Sequence, residues 1–191
     1  MSSSRYQVCV SGAAKGESVE QGKQLALDMG AAIAQAGHAL LTGATTGLPN
    51  YAAQGYKQAG GMHSIGLSPA SSKIEHMLKY RLPIADYDTI IYTGLHYVGR
   101  DTLLITSADA VVSIGGRLGT LHEFTIAMET EKPIGFLQGA GGISEEIQKI
   151  IEISKPLSRA GELVFSESPQ ELIEKLTKIL DVEHARYKGI Y

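Results

Sequence analysis

The chain has 191 residues, 43% of them hydrophobic, enough to bury one full core and to predict a single domain. A net charge of −3, with lysines and arginines scattered and no basic stripe, argues against nucleic acid as a partner. No apolar run reaches membrane-spanning length, "MSSSRYQ" lacks the order of a signal peptide, and the single cysteine, Cys9, cannot staple a monomer; a cytoplasmic protein without a membrane partner is expected.

Along the chain, short apolar runs alternate with longer helical patterns. Strands are predicted at 6–11 ("YQVCVS"), 38–42 ("HALLT"), 62–67 ("MHSIGL"), 88–92 ("DTIIY"), 109–114 ("DAVVSI"), 133–137 ("PIGFL") and 162–166 ("ELVFS"). Helices are predicted at 18–36, 48–59, 71–79, 98–107, 120–130, 143–153 and 169–180. Several strands are continuous apolar runs, as expected when helices cover both faces of a sheet. The alternation predicts right-handed βαβ units and an α/β fold: one doubly wound, mostly parallel sheet of about seven strands with helices on both faces. The domain is expected to fill 1–180, with 181–191 as a C-terminal tail of no clear periodicity.

The 22 glycines gather where apolar runs end: "SGAAKG" (11–16), "TGATTG" (42–47), "GGRLGT" (115–120) and "QGAGG" (138–142). In a doubly wound sheet, ligands bind outside the carboxyl ends of the strands, where these loops fall. A glycine-rich turn that opens a helix presents unpaired N–H groups backed by the helix dipole, a ready seat for phosphate. Gly12, Gly43, Thr45 and Gly47 in the earlier loops, and Gly115, Gly116, Arg117, Leu118, Gly119 and Thr120 in the later one, are the candidate phosphate-binding residues. "TGATTG" is built like "GGRLGT", so the two loops together are expected to cradle a nucleotide.

Other phosphate motifs fail. In "GAAKGES" the lysine precedes the glycine, which excludes a Walker loop, and "SGAAKG" lacks the G-x-G-x-x-G order. The second strand ends in "LLTG" without the acidic residue that grips a ribose in dinucleotide enzymes. No G-x-S-x-G elbow occurs, and the six histidines show no metal-ligand spacing. "T-L-H-E" (120–123) fits a capping box, so Glu123 reads both as a cap for its helix and as a group facing the ligand. Arg100, taken alone, reads as a solvated charge.

Together these residues resemble the Lonely Guy (SLOG) superfamily of Rossmann-like proteins, which includes nucleoside 5′-monophosphate phosphoribohydrolases. That family's signature is M-H-x-R-K, a strand, then P-G-G-x-G-T-x-x-E. Here "YVGRDTLLITSADAVVSIGGRLGTLHE" (97–123) keeps the spacing from Arg100 to the loop and on to Glu123. "LLTGATTGLPNYAAQGYKQAGGMHSIGLSP" (40–69) and "VCVSGAAKG" extend the resemblance upstream, so that it spans roughly 6–150.

The resemblance implies a catalytic pair, Arg100 and Glu123, that cleaves an N-glycosidic bond, with the amides of Gly119 and Thr120 anchoring the 5′-phosphate. It also implies a homodimer, a small phosphorylated ligand and no required cofactor. In register, Gly115 replaces the family's proline, Arg117 replaces its second glycine, and only the arginine of M-H-x-R-K is kept. That form is more similar to the branch that includes molybdenum-cofactor carrier proteins, and an arginine in the loop suits a more anionic ligand. Three functions stay open: a carrier with bound molybdenum cofactor, a phosphoribohydrolase acting on a nucleoside monophosphate, and a nucleotide-sensing module.

Overall fold

The computed structural model describes residues 6–154 and 162–185. Among these, seven strands alternate with six α-helices in the order β1 (Gln7–Gly12), α1 (Glu17–Gln35), β2 (Ala39–Thr42), α2 (Leu48–Gln58), β3 (Ser64–Ser68), β4 (Thr89–Tyr92), α3 (His96–Thr106), β5 (Ala110–Ile114), α4 (Leu118–Glu129), β6 (Ile134–Leu137), α5 (Ile143–Ser154), β7 (Leu163–Ser166) and α6 (Pro169–Ala185). All strands are parallel, in the spatial order β4-β3-β2-β1-β5-β6-β7. The predicted doubly wound sheet is therefore present, and it is wholly parallel.

Alternate side chains of the central strands feed two separate cores. Val8, Val10, Ala110, Val112 and Ile114 pack on one face with α1, α2 and α6, through residues such as Met29, Ile33, Tyr56 and Leu176. Cys9, Leu41, Val111 and Phe136 pack on the other with Leu104 and Ile105 of α3, Phe124 of α4 and Ile147 of α5. Both faces of β1 and β5 are thus covered, which explains why these strands read as unbroken apolar runs. Cys9 is fully buried in the second core, as its sequence setting predicts.

The chain lays β1 to β4 outward in one direction, and α3 then returns it to place β5 on the other side of β1. Strand order reverses between β1 and β5, so a crevice opens above their carboxyl ends. Helices α1 and α2 cross closely on one side of it. A Cβ built on Gly30 would lie 1.9 Å from the Ala52 carbonyl oxygen, and one on Gly55 1.9 Å from that of Leu27. Either methyl meets backbone, which cannot swing aside. Gly55→Ala is expected to cost about 2–3 kcal/mol and to lower Tm by roughly 5–10 °C in a domain of this size. Thermal unfolding beside the native chain measures it, and an unchanged Tm would mean that the helices separate freely.

Two predicted elements differ. The helix expected at 71–79 is a short turn with π-helical pitch at Glu75–Lys79, in which the Tyr80 N–H donates to the Glu75 carbonyl at 3.0 Å. Its widened turn draws His76 inward between the Ser68 hydroxyl (2.8 Å) and the Pro83 carbonyl (3.0 Å). The last helix does not stop at 180 but continues to Ala185, taking in the first part of the predicted tail; 186–191 lie outside the described residues. Among the described residues no helix is long and apolar enough to cross a membrane.

Candidate functional site

A cleft of about 300 Å³ lies at the strand-order reversal, within the size range of small-ligand sites. Two neighbouring helices supply much of its lining. On α3, Tyr97, Arg100 and Asp101 share one face by their i, i+3, i+4 spacing; on α4, Gly119 and Thr120 stand four and three residues before Glu123, each one turn from it. Gly12 and Ala13 after β1, and Gly43 and Thr45 after β2, complete the lining.

Arg100 is buried on the cleft wall. Its Nη1 donates to the Leu67 carbonyl at 3.0 Å, and its Nε lies 3.2 Å from Asp101 Oδ1 without the alignment of a hydrogen bond. Asp101 also accepts from or pairs with His122 Nδ1 at 3.1 Å. Burial raises the Asp101 carboxyl above its ordinary range, while Arg100 and His122 oppose the shift. A guanidinium held from two sides in this way has little freedom, and its position is fixed before any ligand arrives.

Gly43 makes that position possible. A Cβ there would stand 1.8 Å from Arg100 Nη1. The backbone of Gly43 needs no positive φ, so the requirement is one of space alone.

Glu123 is nine-tenths buried beside Arg100 and accepts a short hydrogen bond from the Ser11 hydroxyl. Burial, reinforced by the negative charge of Asp101, pushes its carboxyl from 4.5 up to about 7; the Ser11 hydrogen bond, Arg100 and His122 hold it back from going further. A carboxyl with that value stores a proton near neutrality and releases it readily, which is the property a general acid or base needs. The same burial raises the Cys9 thiol well above its usual range, which keeps it in its neutral form in the core.

The capping reading of Glu123 does not hold. Helix α4 begins at Leu118 with Arg117 in the cap position, so Thr120 is already in the third helical position and cannot be the cap that Glu123 would serve. The Glu123 carboxylate turns to Ser11 on β1 instead.

The glycine loops divide into those that meet the cleft and those that shape it. Gly12, Gly43, Thr45, Arg117, Gly119 and Thr120 line it together with Arg100 and Glu123. Gly47, Gly115, Gly116 and Leu118 do not line it. Gly115 and Gly116 turn the chain with positive φ (56° and 95°), and their carbonyls accept from the Ser144 hydroxyl and the Ile143 N–H. Leu118 points to solvent.

The two loops also differ in what they offer an anion. At the start of α2 the Leu48 N–H is taken by the Ala13 carbonyl (2.8 Å) and Pro49 has no N–H, so little donor capacity remains. The start of α4 is open: it carries no acidic residue in its first turn, and its first amides, including those of Gly119 and Thr120, have no acceptor within the helix. Lys15 and Arg117 stand beside this opening, and Arg117 Nη2 donates to the Lys15 carbonyl at 3.2 Å. Neither cation is in an ion pair among the described residues. Sequence reasoning found the loop but missed Lys15, Ser11, Tyr97 and Asp101; the last two flank Arg100 in "YVGRD", on the helical face that its spacing defines. Among the described residues no three His, Cys, Asp or Glu side chains stand together as metal ligands.

Residues 5–173 match the family described as the SLOG cluster4 family. The X-ray structure of TM1055, a structural-genomics target, is similar with a TM-score of 0.78 and 26% identity, over 91% of this chain and 99% of that one. The molybdenum cofactor binding protein of the phototrophic bacterium Rippkaea orientalis is similar with a TM-score of 0.70 and 27% identity, over 92% of this chain and 97% of that one. The molybdenum cofactor carrier protein of Chlamydomonas reinhardtii gives 0.71 and 25%, over 92% and 99%.

Proposed function

The chain belongs to the SLOG cluster4 family, and from that premise we propose that it is a cytoplasmic carrier for a phosphorylated, nucleotide-like ligand of the molybdenum-cofactor type. One observation carries this reading: the open start of α4 in a cleft lined also by two cations, Lys15 and Arg117, that have no ion-pair partner among the described residues, and by the buried Arg100. Backbone donors, a helix dipole and two positive charges converge there, and that combination recognises a phosphate dianion. Ligand and phosphate binding are thereby assigned to Gly119, Thr120, Arg117 and Lys15, with Gly12, Gly43 and Thr45 along the ligand's flank. The likeness to proteins that carry or bind molybdenum cofactor supports the class of cargo.

A second reading, hydrolysis of the N-glycosidic bond of a nucleoside 5′-monophosphate, is favoured by Glu123 itself. A carboxyl near pH 7, set beside Arg100, is suited to activate water or support an oxocarbenium ion while the guanidinium balances charge on the leaving base. We further read the protein as a homodimer. Ile74 and Leu78 on the π-helical turn, Ile91 on the edge strand β4 and Val98 on α3 are all exposed, and apolar side chains gathered on neighbouring elements suit an interface between copies.

The experiment sets titration with a phosphorylated pterin, followed by its fluorescence, beside incubation with AMP and other nucleoside monophosphates assayed for free base. The expected result is saturable pterin binding that slows its oxidation, by a protein sedimenting as a dimer, with no base released. Base release that Glu123→Gln abolishes would establish the second reading in place of the first. Binding of neither ligand class would reject both.

A further inference from the structure

Tyr97 is the one aromatic side chain among the described residues that line the cleft. It sits one helical turn before Arg100 on the same face of α3, in the first turn of that helix, whereas the amides of Gly119 and Thr120 belong to the first turn of α4. Its ring is braced edge-on by Tyr80, at a centroid distance of 5.6 Å and an angle of 78°. Tyr80 is in turn held by a 2.6 Å hydrogen bond between its hydroxyl and His96 Nδ1. Even so, Tyr97 remains 46% exposed. Nearby, Val10, Ala13 and Pro49 give the cleft apolar surface. A large aromatic ring fixed in place and still open to the cleft offers a flat surface to a flat ligand.

We propose that Tyr97 is the stacking platform for the planar nitrogen heterocycle of the phosphorylated ligand, purine or pterin, and so sets its specificity. The assignment rests on the anion seat proposed above. It gives the bound molecule a direction: phosphate at the start of α4, heterocycle against the start of α3, and the link between them over Arg100 and Glu123. A ligand laid this way brings the bond between ring and sugar, or ring and side chain, next to the two ionisable groups on the cleft walls. Tyr97 is then a positioning residue, since it touches the ring and not the bond.

The chain contains no tryptophan, so Tyr97→Trp introduces a single reporter at the proposed platform. Its fluorescence is expected to change on addition of AMP or of a phosphorylated pterin, whichever the native protein binds, and to stay unchanged with ribose 5-phosphate, which fills the anion seat but has no aromatic heterocycle. Calorimetric titration of Tyr97→Leu is expected to show the heterocyclic ligand weakened roughly tenfold, the scale of one base–aromatic stack, and ribose 5-phosphate unaffected. Tyr97→Phe, which keeps the ring, is expected to bind as the native protein does. Native-like affinity for the heterocyclic ligand in Tyr97→Leu, with ribose 5-phosphate still bound, would overturn the stacking assignment and leave the anion seat standing. Failure of the native protein to bind any of the three would overturn both.

Discussion

Glu123→Gln is expected to be more stable than the native protein at pH 8 and close to it at pH 5. In the folded state burial and Asp101 raise the Glu123 carboxyl to about 7, against 4.5 for an ordinary glutamate. The folded form therefore prefers the protonated carboxyl. That preference is satisfied below about pH 4.5, where both folded and unfolded chains carry the proton, and it is lost as pH rises toward and through 7. At pH 8 the native protein keeps a buried carboxylate that the unfolded chain would solvate, a difference of about 3 kcal/mol; at pH 5 the same balance is under about 1 kcal/mol. Glutamine has the same shape, cannot ionise, and still offers an oxygen to Ser11. Tm is thus expected to rise by roughly 6–12 °C at pH 8, with most of the gain gone at pH 5. An equal shift at both pH values would show that ionisation is not its source. A gain confined to high pH would mark Glu123 as a residue kept for its place in the cleft and not for the fold.

The second large effect concerns a residue without a side chain. Gly43→Ala is expected to weaken binding of the phosphorylated ligand about a hundredfold, the upper range for losing a charge-assisted hydrogen bond from a buried group. The added methyl would occupy the place of Arg100 Nη1, and the guanidinium cannot remain between Leu67 and Asp101 once it is there. The check is a double-mutant cycle on ligand affinity. In an Arg100→Ala background the three atoms nearest the methyl are gone, so Gly43→Ala is expected to cost much less, leaving a coupling of more than about 1 kcal/mol. An equal cost in both backgrounds would separate Gly43 from Arg100.

Much of the fold was legible because burial on both faces writes itself into a strand as an unbroken apolar run. Ala110–Ile114 is fully buried and was readable to within a residue. The segment 71–79 was not, because Ile74, Met77 and Leu78 have helical spacing yet are exposed, while the buried member is His76. Spacing reports which residues share a face, and it does not say whether anything covers that face.

The site divides along similar lines. Glycines at strand ends announce where a ligand goes, and Arg100 and Glu123 keep a recognisable distance from them along the chain. Which glycine serves which purpose depends on contacts from elsewhere: Arg100 passing over Gly43, or the Ala13 carbonyl taking the Leu48 amide. The capping pattern of "T-L-H-E" misled because local spacing could not register that the helix had begun two residues earlier, or that Ser11, 112 residues away, would claim the carboxylate.

The filling of the α2 start by Ala13 and Pro49 has a consequence for traffic through the cleft. On the proposed reading, one anchorage in place of two makes the cleft a one-way berth: a cargo with a charged end and a flat end would dock in a single orientation, its reactive middle always facing the same pair of side chains. That polarity would be built into the resting fold, in which the Ala13 carbonyl already occupies the second anchorage.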